Sequence, residues 1–160
     1  MDTRKSYEEV LGYPPDFRVR YRFYSPDEGG RRVLPWQGYR PDFAYEMPVK
    51  NVPAKQGDTP AILERNGKYN DVPPNVILSE LYMIHPEFED EQGAVILQIE
   101  PVPSTGTASM WIVIPERRRQ VHIHQIQIGT RAYMMEGARA VAEMEVIEIV
   151  GLHSNPTGTM

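Results

Sequence analysis

Three arginines at alternate positions, Arg18, Arg20 and Arg22, are the residues of this chain best suited to bind an anion. The arginine guanidinium forms bidentate hydrogen bonds with phosphate or carboxylate and loses its hydration more easily than an ammonium group. Residues 16–40 hold six arginines and three acidic residues, a local net charge of +3, whereas the whole chain carries −5. Three interpretations are open: the solvated side of a strand with cross-strand acids, a contact for an acidic protein surface, or an RNA-binding row.

Three histidines are the residues that could hold a metal ion. His122 and His124 in "VHIH" are predicted on one side of a strand, and His85 is a third imidazole. Two histidines two positions apart can share a metal, but no third ligand follows with matching spacing. The chain has no cysteine, no nucleophile elbow and no calcium-loop order among the acids of residues 87–91. We therefore predict no metal, no cofactor and no catalytic site, hence a protein that is not an enzyme.

Composition indicates one domain with many short strands. The 160 residues are 41% hydrophobic and 24% charged, and 15 prolines and 12 glycines interrupt the chain often. No apolar run approaches the roughly 18 residues of a membrane span, and the N-terminal residues lack the apolar core of a secretory signal. We expect a cytoplasmic protein without a membrane partner.

The clearest structural signal is the alternation from residue 17 to residue 23. It places Phe17, Val19, Tyr21 and Phe23 on one side and the arginines on the other, as in a half-buried antiparallel strand. Further strands are predicted at about 41–47, 94–100, 108–114, 121–128 and 140–150, with "PERRRQ" as a charged hairpin between the third and fourth of these. The chain is therefore predicted to be all-β, with an N-terminal extension at 1–15, one domain at 16–152 and a flexible tail at 153–160.

Two stretches resemble the C-terminal β-barrel domain of elongation factor Tu. The first, "DEGGRRVLPWQGYRPDFAY" (27–45), matches at Glu28, Gly29, Gly30, Arg31, Gly38, Tyr39, Arg40, Pro41 and Phe43. The second, "IHQIQIGTRAYMMEGARAVAEMEVIEI" (123–149), matches at Ile123, His124, Ile126, Gly129, Arg131, Tyr133, Glu136, Gly137, Arg139 and Val141. Together they cover a little over a quarter of the chain, in the family's order. The resemblance implies a closed, six-stranded antiparallel β-barrel, with Gly29, Gly30, Arg40, Pro41, Glu136, Gly137 and Arg139 as structural turn residues.

The chain also departs from that family. Glu46, Met135 and Ala138 replace residues typical of the motifs, and the greater length between them predicts an insertion within about 48–110. No phosphate-binding loop occurs, so the chain is not expected to bind GTP.

In elongation factor Tu this domain contacts the T-stem of aminoacyl-tRNA, the GTPase domain and the exchange factor. The resemblance therefore implies a non-catalytic, translation-related binding module that acts through protein contacts, such as a decoy or immunity-type protein. The alternative is an accessory protein that binds RNA or tRNA through the arginines. The candidate contact residues are Arg18, Arg20, Arg22, Arg31, Arg32, Trp36 and Tyr39. We expect replacement of Arg18, Arg20 and Arg22 by serine to leave the melting temperature nearly unchanged.

Overall fold

The computed structural model describes residues 4–47 and 77–158. Its β-strands are β1 Phe17–Phe23, β2 Asp42–Met47, β3 Ile77–Leu78, β4 Ile84–Phe88, β5 Thr105–Ile112, β6 Arg131–Glu136 and β7 Arg139–Ile149. They form one antiparallel sheet in the order β3-β2-β6-β7-β1-β5-β4. The sheet curls into a half-barrel around the core.

The prediction of a closed six-stranded barrel is wrong, because the described residues form a sheet of seven strands that stays open, with β3 and β4 at its two edges. Pro86, in the middle of β4, has no N–H to donate to a second neighbour and therefore suits a sheet edge. Tyr82, just before β4, reaches across the opening, where it exchanges two main-chain hydrogen bonds with Phe43 of β2. The structure is mostly β, as predicted, but it is an open half-barrel and not a closed barrel.

The inner side of β1 is the one that the alternation predicted. Phe17, Val19, Tyr21 and Phe23 are all buried in the core, and the rings of Tyr21 and Phe23 pack on Phe88 of β4. Complete burial of a side chain of this size contributes roughly 1.5–3 kcal/mol. The arginines lie on the opposite, outer side of the sheet, so both faces of β1 were predicted correctly.

Residues 115–125 form a continuous helical segment, here called helix α2, and not the predicted hairpin and strand. It consists of Pro115–Arg117, a π-helical turn at Arg118–His122, and Ile123–Gln125. A proline at the first helical position favours a helix start. Arg118, His122 and Ile126 are buried at a spacing of four, which places them on one side of the helical segment. The alternation in "VHIHQIQI" was therefore misleading.

Both ends of the described chain pack onto the sheet. The short helix α1, Tyr7–Leu11, is capped by Ser6 and brings the ring of Tyr7 against Trp111 of β5. Asn155, within the segment predicted as a flexible tail, is buried and donates hydrogen bonds to the carbonyl of Pro14 and to Asp16. Residues 156–158 follow it without regular structure.

The predicted insertion within about 48–110 falls partly outside the described residues. Its described part, residues 77–110, contributes β3, β4 and most of β5 to the sheet. The strand predicted at 94–100 is irregular, with an isolated bridge between Val95 and Glu89. No helix among residues 4–47 and 77–158 is long and apolar enough to cross a membrane.

Candidate interaction surface

The arginine row, Arg18, Arg20 and Arg22, lies on the outer side of β1 between β5 and β7. Its three members stand opposite Glu148, Glu145 and Glu143 of β7 in the antiparallel register. Side chains directly opposite each other on one face of a sheet are close enough to interact. The row therefore faces a row of carboxylates within the same molecule.

Arg18 is held by two carboxylates. Its Nε and Nη2 donate to Glu89, with the shortest distance 2.7 Å, and its Nη1 donates to Glu148 at 2.9 Å. Hydrogen bonds to Glu89 and then to Glu148 raise the pKa of Arg18 above its ordinary value. Glu89 is buried and also accepts hydrogen bonds from Thr107 and Ser109. Arg18 is thus the counterion of a buried carboxylate and not a free binding group.

Arg22 is also paired. It donates to Glu28 at 2.9 Å and to Glu143 at 3.1 Å. Glu28 and Ser25 cap the short 3-10 helix Pro26–Glu28 by hydrogen bonding to each other's main-chain N–H. The hydrogen bonds from Arg22 and from the main-chain N–H of Ser25 lower the pKa of Glu28 to about 2. Arg22 therefore ties the turn after β1 to the sheet.

Arg20 differs from its two neighbours. It is exposed, and within the described chain its side chain has no ion pair or hydrogen bond. It lines a surface groove of about 510 Å³ together with Arg131, Glu145 and Thr105. The groove also contains the paired side chains of Arg22 and Glu143, so its charges are mixed.

A loop of residues 29–41, here called the Trp36 loop, connects the 3-10 helix to β2. It begins with two glycines, as the turn motif predicts. Gly29 has a φ of 94°, and a Cβ on Gly30 would lie 2.0 Å from the carbonyl oxygen of Tyr24. Only glycine fits the second position, because the obstructing atom belongs to the main chain.

Glu136 fastens this loop to the turn between β6 and β7. Its carboxylate accepts hydrogen bonds from Arg31 and from the hydroxyl of Tyr39, and the Arg31 guanidinium lies 5.0 Å from the centre of the Tyr39 ring. Burial acts to raise the pKa of Glu136, but these hydrogen bonds outweigh it and the pKa is lowered. Arg31 and Tyr39 were predicted to contact a partner. Instead, they form hydrogen bonds within the molecule that join the two stretches on which the resemblance rests.

Gln37 anchors the same loop in the core. Although polar, it is only 5% exposed. Its Nε2 donates to the carbonyls of Phe88 and Ile96, at 2.8 and 2.7 Å, and its Oε1 accepts from the N–H of Phe88 at 2.9 Å. The side-chain amide therefore pairs with the free edge of β4 as a neighbouring strand would.

The middle of the Trp36 loop, residues 32–36, presents three exposed side chains. Val33 is 69% exposed and Trp36 is 55% exposed, and Arg32 is also exposed without a hydrogen bond or ion pair in the described chain. Tryptophan and arginine are enriched among residues that contribute most to protein interfaces. The loop therefore presents an apolar and cationic tip on a base fastened by Gln37 and Glu136.

The remaining turn residues have simpler roles. Pro41 is buried immediately before β2, and Gly137 begins the two-residue turn between β6 and β7 with a φ of 59°. Arg139 donates to the carboxylate of Glu136 at 3.3 Å, within the same turn. Arg40 is exposed, and its side chain has no hydrogen bond within the described chain that would support the structural role expected of it.

The histidines do not form a metal site. His122 is buried, whereas His124 is exposed, because helix α2 turns them to different sides. The prediction that they share one side is wrong for that reason. Within residues 4–47 and 77–158, no three His, Cys, Asp or Glu side chains are arranged to hold a metal.

A buried ion pair between Asp16 and Arg118 was not predicted from the sequence. Both side chains are fully buried, and Arg118 donates to Asp16 through Nε at 2.6 Å and through Nη2 at 3.2 Å. Asp16 also accepts from the N–H of Ile112 and from Asn155. The pair joins helix α2, β5 and both ends of the described chain. The one feature of the sequence that could have indicated this arrangement is the spacing of four residues between Arg118 and His122, which is typical of one side of a helix.

The burial of the acidic side chain of Glu87 was also not predicted from the sequence. It lies on β4, where its Oε2 accepts from Arg4 at 3.0 Å and from the N–H of Tyr7 at 2.8 Å. Burial raises its pKa. Glu87 therefore holds the residues around helix α1 against the sheet.

Comparison with known proteins leaves the chain without an assigned family. No family model matches it, and no curated protein is significantly similar to it in sequence.

Proposed function

We propose that this chain is a non-catalytic binding module that contacts a protein through the tip of the Trp36 loop. The observation that carries the proposal is the exposure of Trp36 and Val33 on a loop whose base is fastened by Gln37. A loop held in one conformation loses little entropy on binding, so its exposed side chains contribute more of their contact energy to affinity.

A protein partner fits the surface charges better than RNA does. Arg18 and Arg22 are committed to carboxylates of this chain, and the groove beside Arg20 contains both signs of charge. The whole chain carries −5, a charge that opposes the approach of a polyanion. Mixed charges beside an exposed tryptophan are typical of protein interfaces.

The resemblance to elongation factor Tu supports a more specific partner. The Trp36 loop and the turn at Glu136 belong to the two resembling stretches, and Arg31 and Tyr39 bring them into contact. We therefore propose that the chain binds a protein that docks on the C-terminal barrel of elongation factor Tu. In this role it acts as a decoy or an immunity-type protein, in spite of its open sheet.

RNA binding is the second candidate, and Arg20 is the observation that favours it. Arg20 is unpaired within the described chain and shares its groove with Arg131. A phosphate backbone lying along this groove would bind more weakly as salt increases, and charge reversal at Arg20 would reduce the affinity.

Competition binding distinguishes these candidates. The immobilised chain is incubated with a lysate of its source cells, and the captured protein is challenged with purified C-terminal domain of elongation factor Tu. We expect that domain to displace the captured protein, and the Trp36→Ala variant to capture much less of it. Capture of tRNA that decreases steeply with salt, without a displaceable protein, would instead support the RNA candidate.

A further inference from the structure

A second concave site lies away from the Trp36 loop, between helix α2 and the residues that precede β4. It is a cavity of about 200 Å³ lined by Glu80, Leu81, Met83, Ile114, Arg117 and His122, and by Tyr82. Leu81, Met83 and Ile114 each expose more than a third of their surface. The cavity therefore combines an apolar wall with a few ionisable groups, as small-ligand sites do.

His122 is the buried polar group of this cavity, with only 1% of its surface exposed. Its Nδ1 lies 2.6 Å from the hydroxyl of Tyr45, and its ring packs against that of Tyr82 in a T-shaped contact with 4.8 Å between the ring centres. Nε2 has no hydrogen-bond partner in the described chain, so it is the ring nitrogen with a hydrogen bond left to form.

Tyr45 determines which nitrogen of His122 carries the proton. The buried Tyr45 hydroxyl has no other hydrogen-bond partner among the described residues, so its proton is satisfied only by donation to Nδ1. In a neutral imidazole the other nitrogen, Nε2, then carries the hydrogen. His122 therefore offers a fixed N–H donor to the cavity.

Arg117 supplies a positive charge beside this donor. It is exposed, and within the described chain it forms no ion pair. The carboxylate of Glu80 also lines the cavity and accepts a hydrogen bond from the Tyr82 hydroxyl at 2.9 Å. Glu80 therefore works against an anionic ligand, whereas the Nε2–H group and Arg117 favour one.

We propose that this cavity binds a carboxylate attached to a short aliphatic group. The carboxylate would accept hydrogen bonds from His122 Nε2 and Arg117, and the aliphatic group would lie against Leu81, Met83 and Ile114. Such a carboxylate can belong to a free short-chain acid or to the C-terminal residue of a polypeptide. The volume of the cavity accommodates a group of this size and no large ligand.

Binding of a carboxylate should be linked to protonation of His122. Burial, followed by the charges of Arg118 and Arg117, lowers the pKa of His122 to about 4 in the free protein. Tyr45 and Tyr82 pack on its ring, and Glu80 is the acidic group on the facing segment. A bound carboxylate stabilises the imidazolium, so it raises this pKa, and by reciprocity the affinity for the ionised acid increases as the pH decreases from the raised pKa of the complex towards 4.

The test follows the ring resonances of His122 by NMR during titration with isovalerate, with isovaleramide as the uncharged isostere. We expect a saturable shift with isovalerate and none with the amide.

Variants test the contribution of each side chain to this binding. Arg117→Gln should weaken binding about tenfold, as loss of a charge-assisted hydrogen bond does. Glu80→Gln, which retains an acceptor for Tyr82, should strengthen it, and His124→Asn on the exposed side should leave it unchanged. N-acetyl-leucine is titrated in parallel as a mimic of a polypeptide C-terminus. Tighter binding of N-acetyl-leucine than of isovalerate would indicate a polypeptide C-terminus, and the reverse order would indicate a free acid. Absence of a saturable shift with both acids, or equal shifts with isovalerate and the amide, would overturn the proposal.

Discussion

The side-chain amide of Gln37 forms a reciprocal pair of hydrogen bonds with the main chain of Phe88. Nε2 donates to the Phe88 carbonyl at 2.8 Å, and Oε1 accepts from the Phe88 N–H at 2.9 Å. Phe88 is the last residue of the edge strand β4. One side chain therefore both satisfies the open edge of the half-barrel and fixes the loop that presents Trp36.

Gln37→Leu should destabilise the protein by roughly 2–4 kcal/mol. Leucine is similar in size, but it leaves the N–H of Phe88 and the carbonyl of Ile96 without this partner, whereas the carbonyl of Phe88 still accepts from the N–H of Ile96. Each unsatisfied buried group costs about 1–3 kcal/mol. Urea unfolding measures the change. Gln120→Leu, at an exposed position of helix α2, is the matched control and should change stability by less than about 0.5 kcal/mol. Equal effects of the two substitutions would show that Gln37 is not an anchor.

Arg18→Ser and Arg20→Ser should have unequal effects on stability, contrary to the expectation from sequence that the whole row is dispensable. Loss of Arg18 leaves the carboxylate of Glu89 buried without its counterion, and we expect a cost of roughly 2–4 kcal/mol. Loss of Arg20 should cost less than about 0.5 kcal/mol. Thermal or urea unfolding measures both.

A double substitution provides the control for Arg18. Adding Glu89→Gln to Arg18→Ser removes the unpaired charge and should restore part of the lost stability. If Arg18→Ser alone proved as neutral as Arg20→Ser, the ion pair with Glu89 would have no structural role.

Stability should decrease as the pH falls from about 6.5 to about 4, with His122 as a main cause. The folded-state pKa of His122 is lowered from 6.5 to about 4, first by burial and then by the nearby arginines. In this window the unfolded chain binds a proton at His122 and the folded chain does not, so protonation favours unfolding. The loss approaches roughly 3 kcal/mol at the low end of the window.

Comparison with His122→Gln isolates this contribution. Burial also lowers the pKa of His85, which acts in the same direction, whereas burial raises the pKa of Glu87, which acts in the opposite direction. Both groups remain in the variant, so the difference in slope between the two proteins belongs to His122. Unfolding free energies between pH 4 and 7 should show a shallower slope for the variant. Identical slopes would contradict the prediction.

The strand β1 could be predicted from the sequence, and the partners of its arginines could not. Alternation along a strand assigns side chains to two faces, and the structure confirms this assignment from Phe17 to Phe23. The partners of Arg18 and Arg22 depend on the register of β1 with β5 and β7 and on the turn at Glu28. These are contacts between residues distant in sequence, and no local pattern specifies them.

Helix α2 and the anchor of the Trp36 loop could not be predicted for a similar reason. The alternation in residues 121–128 favours a strand, but burial of Arg118 against Asp16 and of His122 against Tyr45 stabilises a helical segment instead. Gln37 lies among loop-forming residues, and its burial depends on the edge of β4. Three of the predicted contact residues, Arg20, Arg32 and Trp36, are exposed and form no side-chain hydrogen bond or ion pair within the described chain. These three side chains are therefore available to contact a partner.

Photo-crosslinking from position 36 tests the proposed contact most directly. A photoreactive phenylalanine derivative replaces Trp36 in one variant and Ile128, which is 62% exposed in the turn before β6, in a control variant. We predict that position 36 crosslinks to one protein, that the C-terminal domain of elongation factor Tu suppresses this crosslink, and that position 128 yields no such product. A protein that crosslinks equally from both positions, or a partner that binds the chain without crosslinking from position 36, would contradict the proposed role of the Trp36 loop.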